Sequence, residues 1–159
     1  MSLLPFFEWC ENTAVGDAIR SSLWLFPVIE SVHLLMLALI GGAVLILDLR
    51  LLGLVFRRQP VARVARDTQP WLIVSLAVML PTGLLLFLSE SKKCYYSDAF
   101  WAKMAALALA MLFTFTVRRK VAAAGEKRVR GIWLKLVALV SLALWSTVGA
   151  AGRWIGFSG

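Results

Sequence analysis

Residues 24–56, WLFPVIESVHLLMLALIGGAVLILDLRLLGLVF, decide the fold of this chain. Their unbroken apolar centre, Leu34 to Leu47, falls short of the about 20 residues a helix needs to cross a bilayer. The span must grow. Backward it takes in Glu30 and His33; forward it takes in Asp48 and Arg50. Either way an ionisable group enters hydrocarbon at about 2.5–3.5 kcal/mol, against about 0.3–0.6 kcal/mol gained per Leu, Ile, Val or Phe. Such a group is expected to face a bundle interior rather than lipid, and to mark a functional site.

The rest of the chain repeats the pattern. Of its 159 residues 60% are hydrophobic and 16% charged, whereas a soluble domain is about a quarter charged. Runs at about 24–47, 71–89, 99–117 and 133–152 are each long enough to span. The expected fold is all-α: a polytopic membrane protein with a four-helix transmembrane bundle over 23–159. Residues 1–22 read as an interfacial amphipathic arm, with Phe6, Phe7, Trp9, Val15 and Ile19 set among Glu8, Glu11, Asn12, Asp17 and Arg20. Ser21 and Ser22 offer caps for the first span, Pro70 and Trp71 open the second, and Ser97 and Asp98 cap the third. Pro81-Thr82-Gly83 predicts a kink within the second span. Trp24, Trp71, Trp101, Trp133 and Trp154 sit at span ends as an aromatic belt; Trp145 does not.

The formal charge of +8 is distributed by loop. Arg57, Arg58, Arg63 and Arg66 separate the first two runs. Arg118, Arg119, Lys120, Lys127, Arg128 and Arg130 separate the last two. The positive-inside rule makes these loops cytoplasmic and places both termini and the 90–98 loop in the periplasm of a bacterial inner membrane. The same bias accounts for the arginines without a nucleic-acid partner, which would need one contiguous basic face. No positive segment precedes an apolar core at the N-terminus, so no cleavable signal is expected. Cys10 and Cys94 both fall outside, where a disulfide would stabilise by about 4–5 kcal/mol on the chain-entropy estimate; two unpaired thiols are the alternative.

Counting about 1.5 Å per helical residue puts His33, Met79, Met111 and Trp145 in one middle layer on four helices. Glu30, Lys103 and Arg153 lie above them, toward the outside. His33 is the only histidine. It could be the axial ligand of a b-type haem, with a methionine or nothing opposite and Lys103 and Arg153 placed for propionates. It could equally be an interior histidine hydrogen-bonded to Glu30, one turn away. Glu30-x-x-His33 has the spacing of a carboxylate-bridged di-metal site, but no second histidine exists to complete one. Methionines commonly fill core gaps, and Asp48 and Arg50 read as an interface pair or as headgroup contacts. No nucleophile lies near a base and no glycine loop could cradle phosphate, so the chain is not expected to be an enzyme on its own.

The pattern Trp24, Phe26-Pro27, Glu30, His33, Asp48-Leu49-Arg50-Leu51-Leu52-Gly53, Thr82-Gly83, Phe100 with Lys103, and Gly152-Arg153 resembles an uncharacterised family of small bacterial four-helix membrane proteins. That resemblance covers nearly the whole chain. More distantly, His33 and Phe100-Trp101-Ala102-Lys103 are similar to hallmarks of HemJ-type protoporphyrinogen oxidases and CopD-type copper-resistance membrane proteins. The HemJ resemblance implies that His33 ligates haem and Lys103 assists. The expected function is therefore binding of haem b, or of a quinone, between the helices in electron transfer. The alternatives are an accessory or scaffold subunit of a larger membrane or periplasmic redox complex, possible also as a homo-oligomer, and a proton or metal-ion path through Glu30 and His33. The lipid bilayer is the one partner common to all three.

Overall fold

The computed structural model describes residues 3–124 and 131–157, with side chains as far as Trp154. Lys127, Arg128 and Arg130 lie outside the described residues. The described residues form eight α-helices and one π turn, in the order α1 (Leu4–Glu11), α2 (Ala14–Ser21), α3 (Leu25–Leu51), α4 (Val61–Ser89), α5 (Ser91–Tyr96), α6 (Asp98–Phe113), the π turn (Thr114–Arg118), α7 (Arg119–Ala124) and α8 (Gly131–Phe157). No strand occurs among the described residues. Four helical stretches are long and apolar enough to cross a membrane: Leu25–Leu51, Val61–Ser89, Asp98–Ala124 and Gly131–Trp154. The molecule is an all-α four-helix bundle.

The arm is two helices rather than one. Asn12 ends α1, and the Thr13 hydroxyl caps α2 by accepting from the Gly16 N–H at 3.2 Å. One face of the arm is tied down. Phe7 is buried against Phe87, Tyr95, Phe100 and Trp101, Glu11 accepts from the Lys92 N–H at 2.7 Å, and Arg20 donates to the Ser89 carbonyl at 3.1 Å. Phe6 and Trp9, on the other face, stay exposed.

Within the bundle α3 packs most extensively on α4, α6 on α8, and α3 on α8. The buried stripe of α3, His33, Ile40, Ala43, Val44, Leu47 and Leu51, follows helical periodicity. Lipid is as apolar as leucine, so helices associate in a membrane through close van der Waals contact, which small residues permit. Ala106 and Ala110 of α6, Ser75 of α4, and Ala138 and Ser141 of α8 supply those positions, all buried. α3 stops in a Schellman turn: the Gly53 N–H bonds the Arg50 carbonyl at 3.0 Å and the Leu54 N–H bonds that of Leu49 at 2.9 Å. Gly53 holds φ at +74°, which glycine adopts without strain.

α4 begins at Val61, not at Pro70. Pro60 is its N-cap, and Val61 and Val64 are buried while Arg63 and Arg66 face out. This amphipathic extension carries the helix through Pro70, which, like Pro81, lies inside it. A proline in a helix leaves one carbonyl without a donor but need not end the helix when packing on both sides holds it.

The largest departure from expectation lies at the end carrying the basic loops. Asp48 and Arg50 do not pair with each other or serve as a surface pair. Asp48 accepts from Arg118 Nε at 2.9 Å, and Arg118 Nη2 donates to the Val44 carbonyl at 3.0 Å. Arg50 makes a fork onto the Gln59 carbonyl at 2.8 and 2.7 Å. The π turn explains the reach of Arg118. One extra residue in the turn rotates the succeeding side chains by about 100°, carrying them from an outer face to an inner one. Trp145 pins the start of that turn, its indole N–H donating to Thr114 Oγ1 at 3.1 Å.

Candidate functional site

α4 and α6 meet only sparsely, and at the end carrying both termini the space between them is a cavity of about 310 Å³. That volume is at the lower end of small-molecule sites, about 300–1,000 Å³. α3 contributes Phe26, Glu30 and His33; α4 contributes Gly83 and Phe87; α6 contributes Phe100 and Lys103. Gly152 of α8 forms part of the wall, and Glu90, Lys93 and Cys94 form the roof.

His33 is buried and its ring is oriented by α4. Nδ1 lies 3.0 Å from Thr82 Oγ1. The Thr82 hydroxyl gives its own proton to the carbonyls of Val78 and Met79, at 2.9 and 3.0 Å. With the single hydroxyl proton directed to one of those carbonyls the oxygen accepts from Nδ1–H, the tautomer that leaves the lone pair on Nε2. Nε2 has no protein partner, and it is not sealed in. Among the described residues the only enclosed side-chain nitrogens or oxygens without a partner are Asp48 Oδ2 and Ser141 Oγ. His33 itself lines the cavity. Gly83 makes room for the ring, since a Cβ there would stand 3.1 Å from His33 Cε1. The partner of His33 is thus Thr82, not Glu30.

Lys103 is half-buried, its stem lying against Gly152, where a Cβ would meet Cε and Nζ at 3.5 Å. Its ammonium has no ion-pair partner among the described residues. Besides the Glu90–Lys93 pair of its roof, 3.9 Å apart, the cavity offers the ammonium of Lys103, the imidazole of His33 and the carboxylate of Glu30 between aromatic walls. No group of three or more His, Cys, Asp or Glu side chains that could hold a metal ion occurs among the described residues.

The other residues singled out from the sequence lie elsewhere. Met79 and Trp145 are buried in the core cluster with Ile40, Val44 and Leu76, and Met111 packs against it; none lines the cavity. They pack into the core between the helices instead. Arg153 is exposed and also absent from the lining, although it is engaged by another group. Cys10 and Cys94 are free thiols, both buried, so the two sulfurs are not joined. Thr82 and Arg118 were missed. For Arg118 a signal existed: a buried acid at the depth of Asp48 demands a cation at the same depth on another helix.

Burial pushes the Cys94 thiol up to about 11. A raised thiol is neutral at physiological pH and gains thiolate, the reactive form, only as pH approaches that value. In a Cys10→Ser background, iodoacetamide labelling of Cys94 is expected to be slow at pH 8. Its rate should climb about tenfold per pH unit to beyond pH 10. A plateau near pH 9 would show an ordinary, unburied thiol.

No curated protein and no solved structure matches the chain. Neither comparison supports the expected likeness to HemJ-type and CopD-type proteins. A family model does match, over residues 6–158, almost the full length. The chain belongs to the family of unknown function DUF6644.

Proposed function

We propose that the cavity binds the headgroup of a quinone, and that the protein serves electron transfer in a bacterial inner membrane with both termini in the periplasm. The carrying observation is that His33, its Nδ1 held by Thr82, lines the same cavity as Lys103, whose ammonium has no ion-pair partner among the described residues. A quinol hydroxyl would donate to Nε2, and the oxygen across the ring would accept from Lys103 Nζ. Phe26, Phe87 and Phe100 supply the apolar walls a substituted ring needs. On two-electron oxidation one hydroxyl proton would pass to Nε2 and the other to the Glu30 carboxylate, which lines the same cavity, and the two electrons to a redox partner in a larger membrane complex.

Haem b is the second reading. A histidine whose Nδ1–H is held and whose Nε2 is free is prepared as an iron ligand. The cavity volume favours a single ring over a macrocycle, and neither Met79 nor Met111 lines it to supply a second axial ligand. The protein purified in mild detergent separates these readings. Extraction is expected to yield near-stoichiometric quinone, and the absorption spectrum no Soret band. A Soret band that disappears in His33→Leu would select haem. Neither ligand, together with a stoichiometric co-purifying protein, would select the accessory-subunit reading.

A further inference from the structure

A second cavity, also of about 310 Å³, opens at the opposite end of the bundle, and its chemistry is different. Its polar rim carries three arginines on different segments: Arg66 of α4, Arg118 of the π turn and Arg119 of α7. Its inner wall is small and apolar, with Ala43, Leu47 and Leu72 among the lining groups. Arg66 and Arg119 are exposed and have no ion-pair partner among the described residues.

Arg118 is the buried member, 4% exposed. Nε and Nη2 are committed to Asp48 and the Val44 carbonyl. Nη1 makes no hydrogen bond among the described residues, and Arg118 lines the cavity. Asp48 balances the charge of this one arginine only. The rim therefore keeps the net charge of two guanidiniums, with a third lining the same cavity. Gln69 also lines the cavity and makes no side-chain hydrogen bond among the described residues. Guanidiniums on converging segments match the oxygens of a phosphate group.

The position within the bundle selects the source of that phosphate. Arg66 precedes the exposed Trp71 by five residues, about 7.5 Å along the helix axis. A tryptophan in that setting marks the level of lipid headgroups. Leu72 and Ala43 carry the cavity past that level into the apolar zone, where a soluble phosphate has nothing to bind and an acyl chain does. We infer that this cavity is a binding site for an anionic phospholipid, its phosphate held by Arg66, Arg118 and Arg119 and one acyl chain lying along the alanine-lined wall. This inference is independent of the reading of the His33 cavity.

Native mass spectrometry of the detergent-purified protein, titrated with phosphatidylglycerol or with phosphatidylcholine of the same chains, tests it. Each arginine near a headgroup contributes about fivefold and two together about thirtyfold, so wild type should retain the anionic lipid over the zwitterionic one by that order. The variant Arg66→Gln/Arg119→Gln, altered only at exposed positions, should keep the wild-type melting temperature and lose most of the preference. Equal retention of both lipids by wild type would overturn the inference, as would an unchanged preference in the variant. Inorganic phosphate at millimolar concentration should displace little lipid; full displacement would make the site one for a soluble phosphate and contradict the lipid assignment.

Discussion

Asp48→Ala is expected to destabilise the protein by about 3–5 kcal/mol, lowering its melting temperature in detergent by the order of 10 °C. Asp48 is 0% exposed and Arg118 4%. Removing the carboxylate leaves a guanidinium deep in the bundle with one remaining bond on that edge, to the Val44 carbonyl at 3.0 Å. The cost is that of an uncompensated buried charge, which exceeds the net worth of the pair itself. The double variant Asp48→Ala/Arg118→Met should therefore recover much of the loss. Thermal unfolding of the three proteins side by side checks this. If Asp48→Ala melted with wild type, or the double variant melted below it, the ion pair would not be the strut described here.

His33→Leu is expected to abolish quinone retention, and Thr82→Val to weaken it several-fold. The two substitutions act differently. Leucine removes the acceptor and fills part of the space beside Gly83, where a Cβ would already approach the ring to 3.1 Å. Valine leaves the imidazole in place but removes the oxygen 3.0 Å from Nδ1, freeing the ring to carry its hydrogen on either nitrogen. Loss of one hydrogen bond to a neutral partner is worth about 0.5–1.5 kcal/mol, or roughly 2- to 13-fold in affinity. Fluorescence quenching by a water-soluble short-chain quinone, monitored in both variants and wild type, reads the ranking. Equal affinity in wild type and His33→Leu would remove the site.

Much of the fold was legible because lipid simplifies the problem. A bilayer forces every backbone polar group into a local hydrogen bond, so apolar runs become helices, and four runs gave four spanning helices. The extension of α4 to Val61 was not legible in the same way. Pro70 and Trp71 read as a helix start, and only the burial of Val61 and Val64 on the bundle shows why the helix begins earlier. The break of the arm at Thr13 was within reach, since threonine is a good N-cap.

Rotation about a helix was not readable. His33, Glu30 and Lys103 share one cavity, while Met79, Met111 and Trp145 pack into the core. Arg118 shows the limit most sharply. It looked like one of several loop arginines until a π turn, which no periodicity announces, rotated it onto Asp48.

The proposed quinone site depends on the state of one ring, and the chain has one histidine, so selective ¹⁵N labelling of histidine reports on it alone. In bilayer nanodiscs at neutral pH the spectrum is predicted to show hydrogen on Nδ1 and a bare Nε2, whose resonance shifts when quinol is added. A ring protonated at Nε2, or an Nε2 signal that ignores quinol, would contradict the account.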